Sequence, residues 1–245
     1  MSAATNPPEL ARKAAAEFLG TAMLLSTVVG SGIMGDRLAG GNVAIALLAN
    51  TLATGAVLVA LIATFGSVSG AHFNPVVTVS DAALGGLPWN EVPAYLGAQI
   101  FGAVTGVVAA HVMFGVSPIS VSTHVRQGTP QLFSEFVATF GLMAVIWGCS
   151  RRRAELVPFA VGAYITAAYW FTASTSFANP AVTLARALTN TFSGIRPVDV
   201  PGFIAAQAVG AAAATMLFRW LVPSLPASSD RVVVPREKST SKKAK

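Results

Sequence analysis

Charge is scarce in this sequence. Only 11% of its 245 residues are Asp, Glu, Lys or Arg, less than half of the roughly 25% found in an average soluble domain. A water-soluble fold of this length needs a polar surface, and the chain lacks the residues for one. Cysteine is almost missing: Cys149 stands alone, so no internal disulfide can form. Catalytic motifs are missing as well. There is no phosphate loop, no nucleophile elbow and no carboxylate pair placed for catalysis. His72, His111 and His124 are isolated, with no other ligand-type residue nearby at metal-binding spacing. The sequence therefore predicts no enzyme, no catalytic residue, no metal and no cofactor. Basic residues do not interleave with aromatic ones, so no nucleic-acid partner is expected.

Apolar residues are abundant, at 53%, which excludes intrinsic disorder. The 22 glycines and 14 prolines follow no short period, which excludes a fibrous repeat. A polytopic helical membrane protein is what remains. A bilayer core takes roughly 20 apolar residues per helical span. Six stretches qualify: Ala14–Ile33, Val43–Gly66, Pro93–Phe114, Leu132–Cys149, Leu156–Ala173 and Pro201–Val222. The first contains Glu17, lacks an evident small-residue cleavage site and is followed by more spans, so it is not a cleaved signal peptide.

Twelve of the 16 Lys and Arg residues collect on the side shared by both ends: Arg12, Lys13, Arg151 to Arg153, Arg219 and six in the tail from Arg231. Arg37, Arg126, Arg186 and Arg196 fall on the other side. By the positive-inside rule both termini are cytoplasmic. The formal net charge of +6 mostly describes the tail. That tail is expected to be solvated, or to face an anionic leaflet.

Two apolar stretches are too short to span. Asn74–Leu84 and Asn179–Leu188 each begin Asn-Pro, and Pro suits the first turn of a helix. Each reads as a half-helix starting inside the membrane. Irregular backbone at that depth must line a cavity or be buried in protein. Gly70, Ala71, His72 and Phe73 before the first half-helix, and residues 174–178 before the second, are therefore expected to line a pore.

The two halves also match each other. Glu135 follows Glu17 by 118 residues, Asn179 follows Asn74 by 105, and Gln207 follows Gln99 by 108. Each half carries three spans, so the second copy must enter from the opposite face. Such an inverted repeat places its site at the midplane, where interrupted helices meet. Two half-helices meeting N-terminus to N-terminus give a positive electrostatic site, which disfavours cations. Asn74 and Asn179 add amide donors there. A single Asn-Pro would read as a helix cap; two at matched positions read as a pore midplane.

Glu17 and Glu135 are ionisable groups within spans. Their symmetry favours carboxylates that accept hydrogen bonds from the loop backbone of their own half, over a proton relay. His72 reads as a hydrogen-bonded packing residue. Gly97, Gly102 and Gly106, with Ala206, Gly210 and Ala214, read as small residues that let helices approach closely.

At these residues the chain resembles the major intrinsic proteins, the aquaporin and aquaglyceroporin family. Residues Ser69 to Thr78 resemble the family's first signature loop, Phe177 to Ala181 its second, and Ala16 to Thr21 its first-helix signature. The resemblance implies an all-α, aquaporin-like membrane protein with six transmembrane helices plus two half-helices in an inverted repeat. It further implies a homotetramer with one pore per subunit. The expected layout is a cytoplasmic N-terminus over 1–13, a channel domain over 14–222 with halves at about 14–115 and 131–222, and a basic cytoplasmic tail over 223–245.

The departures from the family pattern bear on selectivity. Val76 stands where the family usually has Ala. Val182 stands where it nearly always has the filter Arg, and Thr183 where aquaglyceroporins have Asp. Counting back without gaps from the two Asn residues puts the other filter positions at Thr54, Ala167 and Ser176. All four filter residues are then small or medium-sized, which predicts a wide, weakly polar aperture. Arg186, one turn past Val182, reads as a half-helix end or as a partial substitute charge in the vestibule.

Val in place of this Arg resembles an arsenic-associated bacterial branch of the family. The expected function is a passive channel, in the cell inner membrane, for small uncharged solutes. These are water, glycerol-like polyols, and undissociated arsenite As(OH)3 or methylated arsenicals. A water-selective aquaporin and an ion-coupled secondary transporter, which also uses inverted repeats and broken helices, remain alternatives.

Overall fold

The computed structural model describes residues 7–150 and 153–222. The tail expected over 223–245, the first six residues, and Arg151 and Arg152 lie outside the described residues.

Every described element is helical. The first half consists of α1 (Pro7–Leu38), α2 (Val43–Ser69), the half-helix α3 (Pro75–Ala83) and α4 (Val92–Met113). The second consists of α5 (Thr129–Ser150), α6 (Val157–Phe171), the half-helix α7 (Pro180–Arg186) and α8 (Val200–Leu221). Single 3-10 turns at Ala154–Leu156 and Pro197–Asp199 lead into α6 and α8. Six helices are long and apolar enough to cross a membrane, and the chain is a multi-pass membrane protein. The α1 helix is longer than the sequence suggested: it begins at Pro7, so part of the stretch expected as an N-terminal segment is helical.

Packing repeats by symmetry. In the first half α1 lies against α4 and α2, and in the second α5 lies against α8 and α6. Where α1 crosses α4, a Cβ on Gly102 would overlap the Phe18 carbonyl. Where α5 crosses α8, a Cβ on Gly210 would overlap the Phe136 carbonyl. Close helix approach is thus built into both halves, as lipid-embedded interfaces require. Gly97, expected in the same role, faces open space and has no such neighbour. Between the halves, α2 meets α6 at Gly55 and Gly162.

Both half-helices start from Asn caps. Asn74 Oδ1 accepts from the Val76 amide at 3.1 Å. Asn179 Oδ1 accepts from the amides of Ala181 at 2.9 Å and Val182 at 3.3 Å. Pro occupies the first turn in both, where its missing N–H costs nothing. The turns joining α1 to α2, α4 to α5 and α7 to α8 share the face opposite the start of α1 and the end of α8, the distal face. The long α4–α5 connection is pinned there: the amides of Ser120 and Ser122 donate to the carbonyls of Leu188 and Ala187, each at 3.0 Å.

Candidate functional site: a pore through the inverted repeat

The two half-helices meet tip to tip, and each Asn reaches across to the other half. Asn74 Nδ2 donates to the Ala178 carbonyl at 2.8 Å, and Asn179 Nδ2 donates to the Phe73 carbonyl at 2.7 Å. An amide nitrogen carries two hydrogens, so each Asn keeps one for a solute. The Asn side chains therefore cap their helices, tie the halves together and keep a donor where the two half-helices meet.

The loops entering the half-helices share an unusual backbone. Ala71 and Phe73 have φ of 51° and 49°, and Ser176 and Ala178 have 49° and 48°. The second pair follows the first by the same 105 residues that separate the two Asn residues. Non-glycine residues avoid this left-handed region unless their surroundings impose it. Imposed here, it recurs at both loops, and Ala71, Phe73, Ser176 and Ala178 all line one cavity. The repeat differs at one position: Gly70, with φ of 90°, corresponds to Thr175, with φ of 60°. A β-branched residue there is strained. Thr175→Gly is expected to stabilise the protein by about 1 kcal/mol, after the flexible unfolded glycine offsets part of the relief. Thermal unfolding in detergent would show it as a rise of roughly 2–4 °C.

Two buried carboxylates hold these loops. Glu17 accepts from the Ser69 hydroxyl at 2.6 Å, the His72 amide at 2.9 Å and the Phe73 amide at 2.7 Å. Its remaining bond comes from Gln99 Nε2 at 2.8 Å. Glu135 accepts from the amides of Phe177 and Ala178, each at 2.9 Å, and from Gln207 Nε2 at 2.6 Å. The same Gln nitrogens reach the half-helices, at Thr78 Oγ1 (2.9 Å) and Thr183 Oγ1 (2.8 Å). The sequence contained this Glu–Gln–Thr chain as matched residues of the repeat, but nothing in it assigned Gln99, Gln207, Thr78 or Thr183 a role. His72 packs as expected of a hydrogen-bonded residue: Nδ1 lies 3.1 Å from Thr78 Oγ1 and Nε2 lies 3.5 Å from Asp81.

A narrow cavity of about 70 Å³ runs past these groups. Ala71, His72, Phe73, Asn74 and Asn179 line it, as do Thr54, Ser176 and Val182. Gly70 is buried but is not part of the lining. Ala167 is not in the lining either: it is an exposed residue of α6. Ile165 and Tyr169, one turn apart on the opposite face of that helix, line the cavity instead. The gapless count from Asn179 fails because residues 172–179 are non-helical, mixing extended residues with the left-handed Thr175, Ser176 and Ala178, so their number does not fix the helix phase behind them. Tyr169 donates to Thr54 Oγ1 at 3.3 Å. The aperture is therefore not walled by small residues alone.

Arg186 was the residue least legible in the sequence. It is not a surface-anchored helix end: it is 2% exposed and lines the cavity. Its guanidinium carbon lies 3.4 Å from the centroid of the Phe177 ring, and its Nε donates to the Ser193 carbonyl. A second guanidinium comes from the α4–α5 connection. Arg126 is 8% exposed, donates to the carbonyls of Gly194 at 2.8 Å and Ser174 at 3.0 Å, and lies 4.9 Å from the same ring. Burial pushes Arg126 down to about 10, so it is charged at neutral pH. At the same mouth, burial lowers the pKa of His124, and the charges of Arg126 and Arg186 lower it further.

This architecture is shared with known proteins. The chain matches the model of the family described as major intrinsic protein over residues 4–178 and 153–244. It is 54% identical over 219 residues to the aquaglyceroporin AqpS of Rhizobium meliloti (strain 1021), covering 89% of this chain and 94% of that one. It is 34% identical over 197 residues to aquaporin NIP2-1 of Oryza sativa subsp. japonica, covering 77% of this chain and 65% of that one. The fold resembles the X-ray structure of the aquaglyceroporin from Plasmodium falciparum with a TM-score of 0.71 at 20% identity, covering 89% of this chain and 99% of that chain. With its paired half-helices meeting at Asn74 and Asn179, the chain belongs to the major intrinsic protein family, whose members, the aquaporins and aquaglyceroporins, are channels rather than enzymes.

Proposed function

We propose that this protein is a passive channel for small uncharged solutes, water and glycerol-like polyols among them. The observation that carries this reading is the cavity through the inverted repeat, lined by two half-used Asn amides and left-handed loop backbone. Solutes with lone pairs accept from the Asn donors at mid-membrane, while the paired helix N-termini repel cations. The 54% identity to a protein named an aquaglyceroporin supports glycerol among the cargo.

Val182, where the family resemblance places an Arg, carries no charge and no donor. On that ground the aperture is wider and less polar than an Arg-bearing one, and undissociated arsenite or a methylated arsenical, hydrogen-bonding much as glycerol does, is proposed as further cargo. Both termini are proposed to be cytoplasmic, on the distribution of Lys and Arg, so that the distal mouth faces outward across the inner membrane. The working unit is proposed to be a homotetramer.

A water-selective channel is the second reading, favoured by one observation: the bulky Tyr169 lines a cavity of only about 70 Å³. Light scattering from liposomes carrying the purified protein separates the two, with a water gradient and a glycerol gradient applied to one preparation. Glycerol flux well above empty liposomes and linear in concentration is expected. Fast water with no glycerol flux would establish the second reading. Saturating flux coupled to an ion gradient would overturn both in favour of a transporter.

A further inference from the structure

Arg186 and Ser176 present polar atoms that the protein itself does not satisfy. Arg186 Nη1 and Ser176 Oγ are both buried, and neither has a hydrogen-bond partner among the described residues. Both residues line the cavity. Ser176 immediately precedes Phe177, the ring against which the Arg186 guanidinium packs. A buried donor left unpaired is costly, more so when charged. Because both residues line the cavity, a solute entering it is the partner available to these atoms.

The charge around this point is unbalanced. Arg126 and Arg186 both lie against Phe177. Of the nearby carboxylates, Glu135 offsets one of these two positive charges, and Asp199 is paired with Arg196. Glu135 accepts from two loop amides and Gln207. Asp199 accepts from Arg196 at 3.0 Å and from the Arg126 amide at 2.9 Å. No carboxylate is paired with either guanidinium of Arg126 or Arg186 among the described residues. The mouth therefore carries excess positive charge together with one free guanidinium donor and one free hydroxyl.

We infer that Arg186, backed by Arg126, forms with Ser176 a recognition site at the distal mouth for small oxyacids in their monoanionic form. This rests on the channel reading above and names a solute class that reading does not include. An oxyacid monoanion matches what is free. Its charged oxygens accept from the guanidinium, in a charge-assisted bond roughly twice as strong as a neutral one. Its remaining hydroxyl donates to, or accepts from, Ser176 Oγ. A bare halide satisfies the charge but not the hydroxyl. Glycerol satisfies the hydroxyl but not the charge.

The test uses methylphosphonate near pH 5, where its monoanion predominates, with sodium chloride at equal ionic strength as the comparison. Binding is read first, by thermal unfolding of the purified full chain in detergent. Methylphosphonate at about ten times its Kd is expected to raise the melting temperature by about 3 °C, and Arg186→Gln is expected to lose that rise. Arg186→Lys, which keeps the charge but not the planar fork, should retain part of it.

Flux is read second, as the concentration of methylphosphonate that halves solute permeation in liposomes. That concentration should rise at least tenfold in Arg186→Gln, relative to each protein's own uninhibited rate. No shift in the wild-type protein would overturn the inference. So would an equal shift with chloride, or one that survives in Arg186→Gln. A shift that depends on Arg186 in a protein conducting neither water nor glycerol would leave the site standing and sink the channel reading instead, so the two failures are separable.

Discussion

Glu17→Leu is expected to yield no folded protein. The Glu17 carboxylate accepts four hydrogen bonds: from Ser69, from the amides of His72 and Phe73, and from Gln99. Leucine accepts none. Each buried donor left unpaired costs about 1–3 kcal/mol, and four of them together approach the 5–15 kcal/mol by which proteins are stable at all. The loss should show as aggregation on extraction into detergent.

Glu17→Gln separates the possible roles of this residue. Its single carboxamide oxygen can still accept, but its NH2 faces donors. The expected cost is a few kcal/mol, seen as a lower melting temperature with reduced flux. Glu135→Gln should behave alike, since Glu135 holds Phe177 and Ala178 in the same manner. A proton relay would give the opposite pattern, with stability unchanged and proton movement altered. Wild-type melting of Glu17→Gln would refute the loop-holding role.

Val182→Arg is expected to lower glycerol flux by tenfold or more while lowering water flux less. Val182 is buried in the cavity wall as the third residue of α7. An arginine there would project a long side chain across the lumen near Tyr169 and Ser176, which line the same cavity. A bulky obstruction penalises a three-carbon solute more than water, because rejection by shape grows with what must be squeezed past it. The new guanidinium would also sit close to Arg186 and Arg126, and like charges at this depth repel. Some loss of stability is therefore expected alongside the change in selectivity. The glycerol-to-water ratio in one liposome preparation reads selectivity independently of how much protein is folded. An unchanged ratio would remove Val182 from the aperture.

Much of the fold was legible because lipid imposes simple rules. A spanning helix must be long and apolar, and an irregular segment must be sheltered. Six long apolar runs and two short ones beginning Asn-Pro thus announced six spans and two half-helices. The matched pairs Glu17 and Glu135, Asn74 and Asn179, and Gln99 and Gln207 announced the inverted repeat. The site was only partly legible. Asn74, Asn179, Thr54, Ser176 and Val182 all line the cavity, but Ala167 does not.

The sequence by itself determined the class of the protein, the number and order of its helices, the duplication, and the two Asn residues that start its half-helices. Those follow from composition and from spacing along one chain. Only the tertiary structure decided that Tyr169 rather than Ala167 faces the lumen, because the phase of a helix behind an irregular loop is set by what the helix packs against. It alone decided that each Asn donates across the symmetry axis, since the acceptor lies about a hundred residues away. It alone gathered Arg126 and Arg186 onto Phe177. One comes from a connection between the halves and the other from a half-helix end, and the sequence read Arg186 either as that helix end or as a partial substitute charge in the vestibule. Burial against a shared ring gives them a joint charge at the pore mouth, and burial of that kind belongs to the packed chain rather than to any stretch of it.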